Sequence, residues 1–223
     1  MSEGRYILAP MVLGSQFPAR RGARLALWAL IALLCVALGS GAAHPPSLSP
    51  RAAKFSAAEK LLSAARRGRI ADLNTSLQLG VDVNSANVRD GRTALHEAAQ
   101  SGHVGVAHAL LEAGANIDLA MARGGTALTI AARQGHIAMV ELLVAREADI
   151  DIAASDGTTA LDFAAMHGHV AVVRKLLASG AQTEPTRPGP SRVGVRSLPI
   201  YAAAQQGHVG VVDVLLEANA AVN

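Results

Sequence analysis

Residues 90–103 read DGRTALHEAAQSGH, residues 123–136 read RGGTALTIAARQGH and residues 156–169 read DGTTALDFAAMHGH, and this recurrence decides the fold. The copies stand 33 residues apart, and a fixed period of that length marks a repeat architecture. Gly-His recurs as Gly102-His103, Gly135-His136, Gly168-His169 and Gly207-His208, the last step being 39 residues instead of 33. Upstream of each pair lie Thr93-Ala94-Leu95-His96, Thr126-Ala127-Leu128-Thr129, Thr159-Ala160-Leu161-Asp162 and the degraded Leu198-Pro199-Ile200-Tyr201. Downstream come Leu110-Leu111, Leu142-Leu143, Leu176-Leu177 and Leu215-Leu216, followed by tails such as Gly114-Ala115-Asn116-Ile117-Asp118. A fainter copy precedes them all, with Ala64-Ala65, Gly68 and Gly80-Val81-Asp82-Val83-Asn84.

Each block has a physical role. A Thr ahead of the first helix caps its free N–H groups, and the Ala-Ala pair lets neighbouring helices approach closely. The Gly before His suits a left-handed turn that ends helix one. Helix two then carries an apolar stripe at helical spacing that needs a neighbour to bury it. The chain therefore reads as an all-α solenoid of stacked helix-turn-helix units joined by short hairpin loops.

The signature Thr93-Ala94-Leu95-His96-Glu97-Ala98 resembles the Thr-Pro-Leu-His-x-Ala of the ankyrin repeat family, with Ala94 where the family prefers Pro. The resemblance spans residues 57–223 in five repeats, the second to fourth carrying the full pattern and the first and fifth a weaker one. It implies a non-catalytic protein-protein interaction module that needs no cofactor and binds through hairpin tips and the exposed side of helix one. Mapped by repeat position, the helix-one sites are Arg66, Arg67, Gln100, Ser101, Arg133, Gln134, Met166, His167, Gln205 and Gln206. The hairpin sites are Arg89, Asp90, Arg92, Arg123, Ser155, Asp156 and Thr158. Six Arg against two Asp give this face +4, which favours a protein partner with an acidic surface. An inhibitor or immunity-type binder of an enzyme is the alternative, as is the N-terminal part of a longer protein with a C-terminal effector domain.

The longer fourth step places an extended tip at residues 185–196, which carries Arg192 among three arginines and no acid. The last repeat keeps Val211, Val212, Val214, Leu215 and Leu216 where a terminal repeat of a solenoid calls for polar residues.

Catalytic and metal chemistry find no pattern here. There is no Gly-x-Ser-x-Gly and no His-Glu-x-x-His, and the glycines follow the repeat instead of cradling a phosphate. One histidine per repeat, at His103, His136, His169 and His208, sits on helices about 8 to 10 Å apart, too far for shared ligation at about 2 Å. These are read as structural, and Glu97 as an exposed neighbour of the signature His96.

Composition narrows the rest. Of six aromatic residues, Tyr6, Phe17 and Trp28 precede residue 44, leaving Phe55, Phe163 and Tyr201, too few for a base-stacking nucleic-acid platform. The formal charge of +3 is accounted for by residues 1–43, with four Arg and one Glu; the remainder balances at 16 against 16. No nucleic-acid partner is expected. The single Cys35 also precedes the repeats, so they hold no disulfide.

Residues 25–43 contain no charge and follow Arg20, Arg21 and Arg24. This is the pattern of a signal peptide cleaved after Ala43, or of a single transmembrane anchor, and it is the only expected membrane contact. Residues 44–56 read as a Pro/Ser-rich linker to the repeats. The basic flank keeps the N-terminus cytoplasmic and puts the repeats in the secretory pathway, on the periplasmic or extracellular side.

Overall fold

The computed structural model describes residues 50–183 and 199–220. The expected leader at 1–43, linker residues 44–49, the extended loop at 185–196 with Arg192, and residues 221–223 lie outside the described residues.

Ten helices and no strand occur among the described residues. They run in five pairs: α1 (Pro50–Arg67) with α2 (Ile70–Gln78), α3 (Ala94–Ser101) with α4 (Val104–Glu112), α5 (Ala127–Gln134) with α6 (Ile137–Ala145), α7 (Ala160–Met166) with α8 (Val170–Ala178), and α9 (Pro199–Gln205) with α10 (Val209–Ala220). The first helix begins at Pro50, inside the stretch read as linker. Pro fits the first helical position, and the Ala-rich run after it is strongly helix-forming. Odd-numbered helices pack on their odd-numbered neighbours and even on even, so the chain is an all-α solenoid in which each pair is buried by the next. No described helix is long and apolar enough to cross a membrane.

The start of each inner helix one is set by its Thr. Thr93, Thr126 and Thr159 are extended N-cap residues. Three residues on, a side chain accepts the cap's own backbone N–H: His96 Nδ1 at 3.2 Å, Thr129 Oγ1 at 3.4 Å and Asp162 Oδ2 at 2.8 Å. Three chemically different residues thus do one job, which is to satisfy a donor that the helix leaves free. The Ala pairs do theirs as well: Ala98, Ala99, Ala131, Ala132, Ala164 and Ala165 are fully buried between helices. Leu110, Leu143, Leu176 and Leu215 form the matching apolar row, so the third repeat's register is Leu143-Val144, one residue beyond the Leu142-Leu143 of the sequence pattern.

The glycines before the histidines have two reasons to be glycine. Gly102, Gly135 and Gly168 lie in the left-handed region, at φ +70°, +74° and +74°. Each also seats the ring of the next repeat's histidine: a Cβ on Gly135 would stand 2.6 Å from the His169 ring, and Gly68, Gly102 and Gly168 seat His103, His136 and His208 in the same way. From this seat Nε2–H donates back to a helix-one carbonyl of the preceding repeat. His103 reaches Arg66 O at 3.2 Å, His136 Gln100 O at 3.3 Å, His169 Arg133 O at 3.0 Å and His208 Met166 O at 3.1 Å. The histidines are therefore latches between repeats.

At the last pair the pattern opens. Gly207 keeps φ +75°, yet among the described residues nothing stands within 4 Å of a Cβ placed on it. Of the apolar residues expected on the outer side of this pair, Val211, Val214 and Leu215 are buried against α8, because helix two turns its stripe inward; Tyr201, Val209 and Leu216 are the exposed ones, at 53%, 68% and 53%.

Candidate functional site

The hairpin tips form a row held by backbone bonds from one repeat to the next. Ala122 N donates to Asp90 O and Ser155 N to Arg123 O, each at 3.0 Å. At the hairpin bases a second ladder runs through side chains: Asn84 accepts from Asn116 N, Asp118 from Asp149 N and Asp151 from Gln182 N, at 2.8 to 3.1 Å. The expected face is thus fixed on two sides, by the tips and by the histidine latches. The carbonyls that receive those latches belong to Arg66, Gln100, Arg133 and Met166, the very positions whose side chains look onto the face.

The arginines of this face fall into two groups. Arg66, at the end of α1, directs Nε to Glu97 Oε2 at 2.8 Å, and Arg92 places Nη1 3.6 Å from Glu97 Oε1. Glu97 is not the exposed neighbour that the sequence suggests: it is 2% exposed. Its equivalents one and two repeats on are Ile130 and Phe163, so the position is apolar in those repeats, and burying a carboxylate there is costly unless it is paired with cations. The hydrogen bond that Arg66 donates to Glu97, and then the carboxylate's charge, in turn raise the Arg66 pKa. Arg92 also lies 3.4 Å from Asp90. Counting Glu97 lowers the sum over the face from +4 to +3, and two of its arginines are internally engaged.

Arg67, Arg89, Arg123 and Arg133 form the other group. Among the described residues none of the four is within ion-pair distance of a carboxylate. Arg133 Nη2 donates to Gln100 Oε1 at 3.3 Å, and the same oxygen accepts from Arg92 Nη2 at 3.3 Å, so Gln100 holds two guanidinium groups in line. Both Arg123 and Arg133 border a cavity of about 260 Å³ lined by Met121, Gly125, Thr129, Ile130, Ala154, Asp156 and Phe163. A larger groove of about 730 Å³ runs between α1 and the first hairpin, where Arg66, Arg89 and Glu97 meet Leu62 and Val88.

Of the remaining expected residues, Arg67, Arg89, Gln134, Ser155, Asp156, Gln205 and Gln206 are exposed, while Asp90, Ser101 and Met166 are half-buried. Thr158 is buried beneath its hairpin, at 7%, because its carbonyl and amide close the turn, so it offers nothing to a partner. Exposed His167 turns back on its own helix through Phe163 O at 2.9 Å and stacks on His169, with ring centres 6.1 Å apart. Among the described residues no group of three or more His, Cys, Asp or Glu side chains is placed to hold a metal ion.

Two further buried titratable groups lie behind the face. His96 is pushed below the usual imidazole range, first by burial and then by the Arg92 charge. Its Nδ1 accepts from the Thr93 amide, so Nε2 carries the proton and donates to Gly125 O of the next hairpin at 3.3 Å. Asp162, at the equivalent position, is pushed above the usual carboxylate range by burial. Its Oδ2 caps Thr159 and its Oδ1 is buried without a hydrogen-bond partner.

Glu97 and the Arg123–Arg133 cavity are what residue-by-residue reading misses. The signal for Glu97 was present, since stacking the repeats puts it in a column with Ile130 and Phe163. A family model described as Ankyrin repeats (3 copies) matches residues 61–154 and 118–187. No curated protein matches the chain.

Proposed function

Since the chain belongs to the ankyrin repeat family, whose repeats are in general protein-protein interaction modules and typically non-enzymatic, we propose that it binds a protein partner with an acidic surface through the face bearing Arg89, Arg123 and Arg133. The single observation behind this reading is the division of the arginines: Glu97 engages Arg66 and Arg92, whereas Arg123 and Arg133 stand beside a cavity with no carboxylate to pair with among the described residues. A guanidinium held this way forms bidentate hydrogen bonds with an incoming carboxylate. Tips and latches fix the backbone beneath these residues, so little ordering entropy is lost on binding.

The supporting experiment is capture from native extract with the full chain and with an Arg89→Ser, Arg123→Ser, Arg133→Ser variant, each at low and moderate salt. A partner held by the native chain, released by salt and lost by the variant supports the reading. One recovered equally by both chains overturns it.

We further propose that residues 1–43 direct the repeats into the secretory pathway. The uncharged run behind Arg20, Arg21 and Arg24 supports this. N-terminal sequencing of the expressed protein tests it: a new terminus near His44 is expected for a cleaved signal, an intact terminus with membrane-bound protein for an anchor, and an intact terminus on soluble protein contradicts both.

A further inference from the structure

We propose that the cavity between the third and fourth repeats is an anchor pocket for one aromatic side chain of an acidic, extended partner segment, the ring entering the cavity and carboxylates on either side of it meeting Arg123 and Arg133. This deepens the reading above and rests on it, in that the tip and helix-one face must be the binding face.

The dimensions suit one ring. The cavity measures about 260 Å³, and its floor and walls are Ile130, Phe163, Ala154 and Met121. Ile130 is buried, while Phe163 and Met121 are half-buried, leaving apolar surface to be covered by an incoming group. The Met121 side chain lies across Gly125, its methyl 2.8 Å from where a Cβ on that residue would stand. A thioether is flexible enough to shift aside and then lie against the edge of an aromatic ring. Phe163 supplies a second ring at the wall, and aromatic pairs gain beyond the area they bury.

The rim selects the flanking charge. Arg123 is exposed, and Arg133 is steadied by Gln100, so two guanidinium groups border the opening. Asp156 stands there too, but its Oδ1 already accepts the Thr158 amide, and among the described residues it is in ion-pair distance of neither arginine. The rim therefore carries a net positive charge.

Repeat symmetry sharpens the argument. Arg66 and Glu97 occupy, at the first repeat boundary, the positions that Arg133 and Phe163 occupy at the third. There the carboxylate is internal and pairs with the arginine at 2.8 Å. Here phenylalanine replaces it, and the carboxylate must come from outside.

The test uses the full chain and synthetic peptides in glycine-serine context: phenylalanine between glutamates, alanine between glutamates, and phenylalanine between serines. Fluorescence anisotropy is expected to give saturable binding of the first, with about tenfold weaker binding of each of the others. Arg123→Ser, Arg133→Ser and Phe163→Glu should each weaken the first peptide by about tenfold or more, while Arg174→Ser, on α8, should leave it unchanged. Circular dichroism melting of each variant separates lost binding from lost fold. If the alanine peptide binds as well as the phenylalanine peptide, the anchor pocket is overturned and the charged face stands. If Arg89→Ser abolishes binding and the pocket variants do not, the pocket is likewise overturned and the face retained. No saturable binding of any peptide overturns the pocket, leaving the wider face to the capture experiment.

Discussion

Among the positions at which the second and fourth repeats differ are two adjacent ones, His96-Glu97 against Asp162-Phe163, and with that pair change both the coupling between repeats and the chemistry of the face. In the second repeat His96 caps its own helix through Nδ1 and reaches Gly125 O in the next hairpin through Nε2, while Glu97 gathers Arg66 and Arg92. In the fourth, Asp162 caps through Oδ2 but leaves Oδ1 without a partner among the described residues, and Phe163 turns the equivalent site into an apolar wall beside Arg133, which has no carboxylate partner among them. A repeat's scaffold residues and the residues that set the chemistry of its surface are thus separable even when they are neighbours in sequence. The cap tolerates His, Thr or Asp, and the next position decides whether the surface above it is neutralised or open.

The largest expected effect tests the coupling half of this contrast. His96→Ala removes a buried cap acceptor and the link to Gly125, and should lower stability by about 2 to 3 kcal/mol in urea denaturation. Asp162→Ala removes only the cap, together with an unpartnered buried oxygen, and should cost less than about 1 kcal/mol. Equal losses would erase the distinction.

Next comes acidity, where the two residues have opposite signs. His96 is held below its ordinary value, so the unfolded chain takes up its proton first. Its contribution is complete above about pH 6.5 and declines as the pH falls below that, until the lowered native value is passed. Asp162 is held above its ordinary value, so the native chain binds the proton more readily. Its contribution is complete below the ordinary carboxylate range and is lost as the pH rises through that range to the raised native value. Asp162→Asn, which keeps an oxygen for the Thr159 amide, should therefore stabilise the protein at neutral pH, with the gain shrinking in strong acid. Urea midpoints across that pH range check it, and a gain that grows in acid would reverse the assignment.

The mildest effect lies in the third repeat, between the two. Glu147, at φ +62°, is the one non-glycine residue of positive φ among the described residues, and it stands where neighbouring repeats have Gly114 and Gly180. Glu147→Gly should raise stability by about 1 kcal/mol, seen as a higher thermal midpoint. A lower midpoint would mean that the turn holds Glu147 by contacts other than its backbone.

Much of this architecture is legible in the sequence, because it repeats. Thr93, the alanine pairs, the left-handed glycines and the latch histidines each recur at one spacing, and the physical demand behind each is local or reaches only the adjacent repeat. The start of the first helix is less legible: Pro50 looks like linker punctuation, yet it starts the helix. What the pattern hides is chemistry that depends on a departure from it. Glu97 interrupts a column otherwise filled by Ile130 and Phe163, and reading it beside His96 instead of along that column makes it look exposed. The cavity draws on residues from Met121 to Phe163, and only stacking brings them together.

The most direct measurement exchanges the character of the two boundaries. The peptide with phenylalanine between glutamates is titrated against the native chain, against Phe163→Glu and against Glu97→Phe, with the melting of each followed in parallel. Phe163→Glu should rebuild at Arg133 the pairing now seen at Arg66, keep the helical melt and lose the peptide by about tenfold or more. Glu97→Phe should free Arg66 beside the larger groove and add a second binding event. Peptide affinity unchanged in a folded Phe163→Glu chain would contradict the claim that this column governs what the face recognises.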